Sequence, residues 1–176
     1  MPANDEAELS EDFIRKQGPA FLPALLRRIA EELLRGAEEW GPEVGLTSSP
    51  RVRSTLLALD EHGPMGVVEI AKLLQQSHPL VITWIKQLQA DGFAKTRTDT
   101  ADRRRTVVAL TPKGVAEVRQ LRKVLPRMSA TAQALMDEAA PGLFDALWRM
   151  EQACRREPFA DRLRGRGPIR VSKKKK

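Results

Sequence analysis

Between Val67 and Gly92 the sequence holds two apolar-periodic runs separated by a very short polar step, and this feature leaves the chain little choice of fold. Val68, Ile70, Ala71, Leu73 and Leu74 are spaced for a short helix over roughly Val67 to Gln75. Ser77 then stands as an N-cap with Pro79 in the first turn, and Val81, Trp84, Ile85 and Leu88 form the inner face of a second helix that Gly92 stops. Two short helices joined by so tight a turn make a helix-turn-helix. Immediately afterwards the period changes. Phe93 to Arg97 and Thr106 to Leu110 read as two short strands, and the stretch TDTADRRR between them as the polar tip of a hairpin, or wing.

The flanks are helical. From about Ala20 to Trp40 apolar residues recur at three and four, giving a broad stripe through Leu22, Leu25, Ile29 and Leu33 that needs a groove to lie in. Gly41 to Ser49 is loop. Ser49-Pro50 starts a helix that His62-Gly63-Pro64 ends, and Thr111-Pro112 restarts helix after the wing by the same cap-then-proline logic. Val115, Val118, Leu121 and Leu125 continue until Pro126, where the run is expected to kink or break. Apolar stretches around Leu135 and Met136, and from Leu143 to Cys154, read as docking helices. The fold class is therefore mainly α with a small β-wing. A flexible acidic lead (1–19) and an N-terminal helix (20–45) precede the winged helix-turn-helix (46–114), C-terminal helices (115–160) and a basic disordered tail (161–176).

Charge is distributed unevenly. Residues 1–50 carry a net −5, 51–114 carry +4, 115–154 are neutral and 155–176 carry +8. A positive field confined to the middle segment and the tail suits a polyanion, with duplex nucleic acid ahead of an anionic membrane. The single cysteine, Cys154, cannot form an internal disulfide, and the acidic start resembles no secretion signal, so a cytoplasmic address is expected. No apolar run approaches the roughly 20 residues needed to span a bilayer, and no membrane partner is expected.

A duplex offers a helix-turn-helix two places to hold: a major groove wide enough for one helix, and a flanking minor groove whose negative potential attracts an arginine. On the second helix Ser77, His78, Leu80, Thr83, Lys86 and Gln87 are the candidate contacts. Thr83, Lys86 and Gln87 serve as hydrogen-bonding groups, and Ser77 serves as cap and phosphate ligand. On the wing the candidates are Arg97, Asp102, Arg103, Arg104 and Arg105, with Arg104 inserting into the minor groove and Asp102 bracing its guanidinium.

The strongest likeness to a known family lies in DRRRTVVALTPKG. Asp102, Arg104, Val108, Leu110, Thr111 and Gly114 match the wing pattern of the multiple antibiotic resistance regulator (MarR) family, and EIAKLL, Ser77 with Pro79, and Leu88 with Asp91-Gly92-Phe93 sit where that family places its helix-turn-helix residues. The chain resembles that family over about Leu46 to Gly114. The resemblance implies a homodimer whose first and last helices intertwine, a near-palindromic operator, repression by occlusion, and a pocket for a small lipophilic effector. The chain departs from the family pattern in carrying Leu80 and Ile82 where small polar residues are common, and Thr83 where an Arg is often found, so reading by thymine methyl contacts and DNA shape gains weight.

Other features carry less. Cys154 shares a stripe with Leu143, Leu147 and Met150 and reads as a small core residue rather than a redox sensor. His62 and His78 have no cysteine or carboxylate cluster at ligand spacing, so no metal and no cofactor is expected. Trp40 and Met65 are candidates for an effector pocket, whereas Trp84 reads as packing beneath the recognition helix. The alternative to a DNA-binding regulator is a protein-interaction module that keeps the winged fold and binds through the apolar Leu80 and Ile82. No Ser/His/Asp, Cys/His, paired-carboxylate or glycine-loop constellation supports an enzyme.

Overall fold

A computed structural model describes residues 12–98 and 106–165. They form eight α-helices and one two-stranded antiparallel sheet: α1 (Phe13–Gln17), α2 (Leu22–Trp40), α3 (Arg53–His62), α4 (Val67–Leu74), α5 (His78–Ala90), β1 (Ala94–Thr98), β2 (Thr106–Leu110), α6 (Pro112–Ala139), α7 (Leu143–Arg156) and α8 (Phe159–Leu163). Single 3₁₀ turns at Gly18–Phe21, Pro42–Val44 and Pro50–Val52 shape the approaches to α2 and α3. The chain divides into two compact units, residues 1–124 and 125–176.

The core of the first unit is the winged helix-turn-helix. Val52, Leu56 and Leu59 around α3, Ile70 on α4, Val81, Ile85 and Leu88 on α5, Phe93, Val108 and Val118 form one buried cluster, and Trp84 packs half-buried against it, as its spacing on α5 implied. The strands pair with Ala94 opposite Leu110 and Thr98 opposite Thr106. Met65 extends the sheet through a bridge to Val108: its N–H donates to the Val108 carbonyl at 3.1 Å, and its carbonyl accepts the Val108 N–H at 2.8 Å.

Helix ends explain these limits. At the end of α5, Gly92 adopts φ +77°, the Phe93 N–H reaches back to the Leu88 carbonyl (2.8 Å) and the Gly92 N–H to that of Gln89 (3.1 Å). This places Phe93 in the cap, so β1 begins at Ala94, one residue later than its sequence pattern suggests. Thr111 is a working cap: its hydroxyl accepts from the Gly114 N–H (3.1 Å) and donates to the Gly92 carbonyl (2.6 Å). Ser49 and Ser77 occupy N-cap positions with extended backbones, yet neither side chain makes the capping bond, and the Ser49 hydroxyl goes instead to Glu38 (3.3 Å).

Two further points differ from expectation. Of the kink or break expected at Pro126, the break does not occur, because α6 runs from Pro112 to Ala139 with the proline inside it. A proline removes one hydrogen bond, at a cost of about 3 kcal/mol, and the many turns on either side sustain a helix of this length. Cys154 is exposed rather than a core residue, because the α7 stripe that carries it is itself uncovered, with Leu147, Trp148 and Met150 all exposed. Indeed α2, α7 and α8 contain no buried residue among those described.

Candidate nucleic-acid interface

Helix α5 shows solvent the face that its sequence assigns to the ligand. Val81, Ile85 and Leu88 point into the core, so helical geometry sets Thr83 opposite them, with Lys86 to one side and Leu80 and Gln87 to the other. Ser77, His78, Leu80, Thr83 and Lys86 are exposed, and Gln87 is half-buried. Thr83 differs from expectation in one respect. Its hydroxyl donates to the Pro79 carbonyl at 3.1 Å, which leaves it to act toward a partner as an acceptor. Ile82 is half-buried, so Leu80 alone supplies an exposed large apolar group to this face.

The turn before α5 contains no glycine. Gln75 takes the left-handed conformation at φ 54°, which costs a non-glycine residue about 1–2 kcal/mol. Its side-chain amide donates to the Lys72 carbonyl (2.8 Å) and its backbone N–H approaches the same carbonyl (3.3 Å), which offsets part of that cost. Val68, Ala71, Lys72, Gln75, Gln76 and His78 border an open notch of about 550 Å³ between α4 and the start of α5. At the start of α4 the Glu69 carboxylate accepts the Gly66 N–H at 2.9 Å.

The wing is fixed to the recognition helix at its root. Gln89 of α5 donates to the Thr96 hydroxyl of β1 (2.5 Å), while Lys113 of α6 donates to the Asp91 carbonyl (2.7 Å) and lies 4.5 Å above the Phe93 ring. Arg97 is exposed on β1. Together with Lys95, Leu59, Asp60, Pro64, Leu110 and neighbours it borders a hollow of about 430 Å³. Asp102, Arg103, Arg104 and Arg105 lie outside the described residues. Trp40 closes α2, half-buried, and Met65 is committed to the sheet bridge and to packing against the core.

A polar cluster that the sequence pattern did not announce lies behind the head. Glu117 of α6, 6% exposed, accepts from the N–H groups of Thr47 (2.9 Å) and Ser48 (2.8 Å) and from the Thr47 hydroxyl (3.2 Å). Burial raises its pKa, but these hydrogen bonds outweigh burial and hold the carboxyl below its ordinary range. Arg53 of α3, 5% exposed, donates from Nη2 to the Ser48 carbonyl (2.9 Å). Burial lowers its pKa, opposed by the charges of Glu117 and Glu38. The available signal was a charge inside a buried stripe, since Glu117 falls among Gly114, Val118 and Leu121 at helical spacing.

Comparison with known proteins agrees with this geometry. The MarR family model matches residues 53–106, which run from the start of α3 to the start of β2. Among curated proteins none matches the sequence. Among solved structures the chain is similar to BpsR of Bordetella bronchiseptica, described for the regulation of its DNA binding by 6-hydroxynicotinic acid (25% identity, TM-score 0.58, covering 74% of this chain and 91% of that one). It is also similar to the PcaV transcriptional regulator of Streptomyces coelicolor in complex with its natural ligand (24% identity, TM-score 0.57, 78% and 94%). A third likeness is to MepR of S. aureus in complex with DNA (22% identity, TM-score 0.58, 74% and 96%). The match to the MarR family covers the helix-turn-helix and the first strand of the wing, and β2 follows directly at its end.

Proposed function

We propose that the protein is a cytoplasmic transcription regulator that binds duplex DNA as a homodimer, reading a near-palindromic site with α5 in the major groove and the wing in the minor groove. The observation that carries this reading is the outward face of α5. It presents Leu80, Thr83, Lys86 and Gln87, with His78 exposed at the start of the helix, on a head whose wing root holds Lys95 and Arg97. Dimerisation is supported by α2, where Leu22, Leu25, Ile29 and Leu33 are exposed and no residue is buried, and by α7, where Phe144, Leu147, Trp148 and Met150 are exposed. Repression by occlusion follows from placing such a dimer over a promoter. Response to a small-molecule effector is supported by the likeness to BpsR, and requires an effector that prefers one spacing of the heads over the other.

Selection of bound duplexes from a random pool tests the reading, and a two-fold symmetric winner with half-sites about 10 base pairs apart is the expected result. On that duplex Arg104→Ala should weaken binding and make the salt dependence shallower by about 0.9 in log–log slope for each phosphate it ceases to neutralise. Unchanged affinity at matched salt would remove the wing from the interface. Failure to retain any duplex in dilute buffer would favour a protein partner seated on Leu80.

A further inference from the structure

The cluster around Thr47 and Ser48 makes no contact expected of a DNA reader, yet it sits where the helices flanking the head meet it. Glu117 holds the amide side of this segment and Arg53 holds the Ser48 carbonyl. Gln120, also on α6, donates to the Val44 carbonyl at 2.6 Å, and Glu38 of α2 accepts from Ser49. The guanidinium also lies against the end of α2, where a Cβ at Gly41 would stand 2.8 Å from Nη2. Helices α2, α3 and α6 are thus fastened to one short connection by directional bonds.

Stability alone does not account for this choice. Among the described residues Nε and Nη1 of Arg53 are buried without a hydrogen-bond partner. A partly satisfied buried cation is a cost, and a well-packed apolar side chain of the same volume serves a core as well or better. Apolar packing is non-directional and tolerates small sliding of one helix on another, whereas hydrogen bonds fix distance and angle together.

We propose that Arg53 and Glu117 are positioning residues for DNA binding. By clamping the Thr47–Ser48 segment from opposite sides they fix where the head stands relative to α2 and α6, and so hold the two heads of a dimer at the separation a palindrome demands. The inference rests on the DNA-binding reading above.

The test compares wild type with Arg53→Met on two duplexes, one carrying both selected half-sites and one carrying a single half-site. A lone head needs no fixed placement. At a temperature where it is fully folded, the variant should therefore keep its single-site affinity, yet lose about fivefold or more on the double site. Arg53→Lys, which can still donate to the Ser48 carbonyl, should recover part of that loss. Equal loss on both duplexes would mark Arg53 as a direct contact or a plain stability element, and no loss on either would overturn the proposal. Should Arg53→Met fail to fold, Gly41→Ala keeps both residues while displacing Nη2, and should give the same pattern. Hydrogen exchange on the free protein separates this proposal from the reading beneath it. Exchange at the Thr47 and Ser48 amides should accelerate by about tenfold in the variant while α5 is unchanged, whether or not wild type retains DNA. Unchanged exchange at those two amides would sink the clamp by itself.

Discussion

A Cβ built on Gly114 would stand 2.1 Å from the Phe93 carbonyl oxygen and 3.2 Å from Leu110 Cδ2. The first turn of α6 therefore lies directly on the end of the α5–β1 turn, and only glycine permits that approach. Gly114→Ala must move backbone, so a loss of about 2–3 kcal/mol or more is expected, read as a lower urea midpoint at unchanged slope. Gly92 makes the contrast. Its φ is +77° and the nearest atom to an added methyl would be 3.9 Å away, so Gly92→Ala should cost only the left-handed conformation, about 1 kcal/mol. Glu117 supplies a pH signature. Its pKa is lowered in the folded protein from an ordinary value of 4.5, so the carboxylate contributes stability that is fully present above that value and is lost as pH falls through the folded pKa. Urea midpoints of wild type and Glu117→Gln, compared from pH 7 downward, should differ by a constant amount until about pH 4.5 and converge below it. A gap that stays constant into stronger acid would show that Glu117 does not titrate as its surroundings dictate.

At the scale of elements, the cap-then-proline pairs mark real boundaries but do not reveal which caps work. Thr111 does, because the adjoining carbonyls of Gly92 and Phe93 hold its hydroxyl in place while it accepts from Gly114. Thr111→Ala should cost about 1–2 kcal/mol in thermal or urea melts, whereas Ser77→Ala, with no side-chain bond to lose, should shift the midpoint by only a few tenths of a kcal/mol. This difference shows what was legible. Periodicity exposed α4 and α5 because Ile70, Ala71, Val81, Ile85 and Leu88 face one core, although Val68 and Leu73, read as part of the same face, are exposed. The loss of the helical period located the wing, whose second strand buries Val107, Val108 and Ala109 in a row. Gln75 was not legible as the turn residue, since its left-handed backbone depends on the Ala71 and Lys72 carbonyls rather than on its own preference. The continuity of α6 through Pro126 was hidden for a similar reason, because a local penalty was set against a long helix whose other bonds stand. The Arg53–Glu117 cluster was hidden by distance, as its members lie far apart in sequence and meet only once the head has folded. On α5 the outward face was readable by subtraction from the core, although the bond between Thr83 and Pro79 was not.

For the whole molecule, the decisive quantity is the apolar surface left uncovered. Leu25, Ile29 and Leu33 are 44%, 47% and 50% exposed on a helix with no buried residue, although full burial of such side chains is worth about 1.5–3 kcal/mol each. A helix of this kind gains little from remaining bare, and a two-fold interface would use each of its residues twice. Changing Leu25 and Ile29 together to Glu therefore separates the two states cleanly. In a lone chain both positions face water, so the head should keep its helicity and its melting transition. In a dimer the same change places four carboxylates in an apolar seam, so sedimentation should shift from dimer to monomer at micromolar concentration. The duplex-binding consequence follows from effective concentration: losing the tether between two heads should reduce affinity for the double site by about 10²-fold or more and leave the single site untouched. A double-Glu variant that still sediments as a dimer would require the α7 face, with Phe144 and Trp148 in edge-to-face contact at 6.3 Å, to carry the association instead, and the paired substitution Leu147→Glu, Trp148→Glu would then be the change that separates the copies.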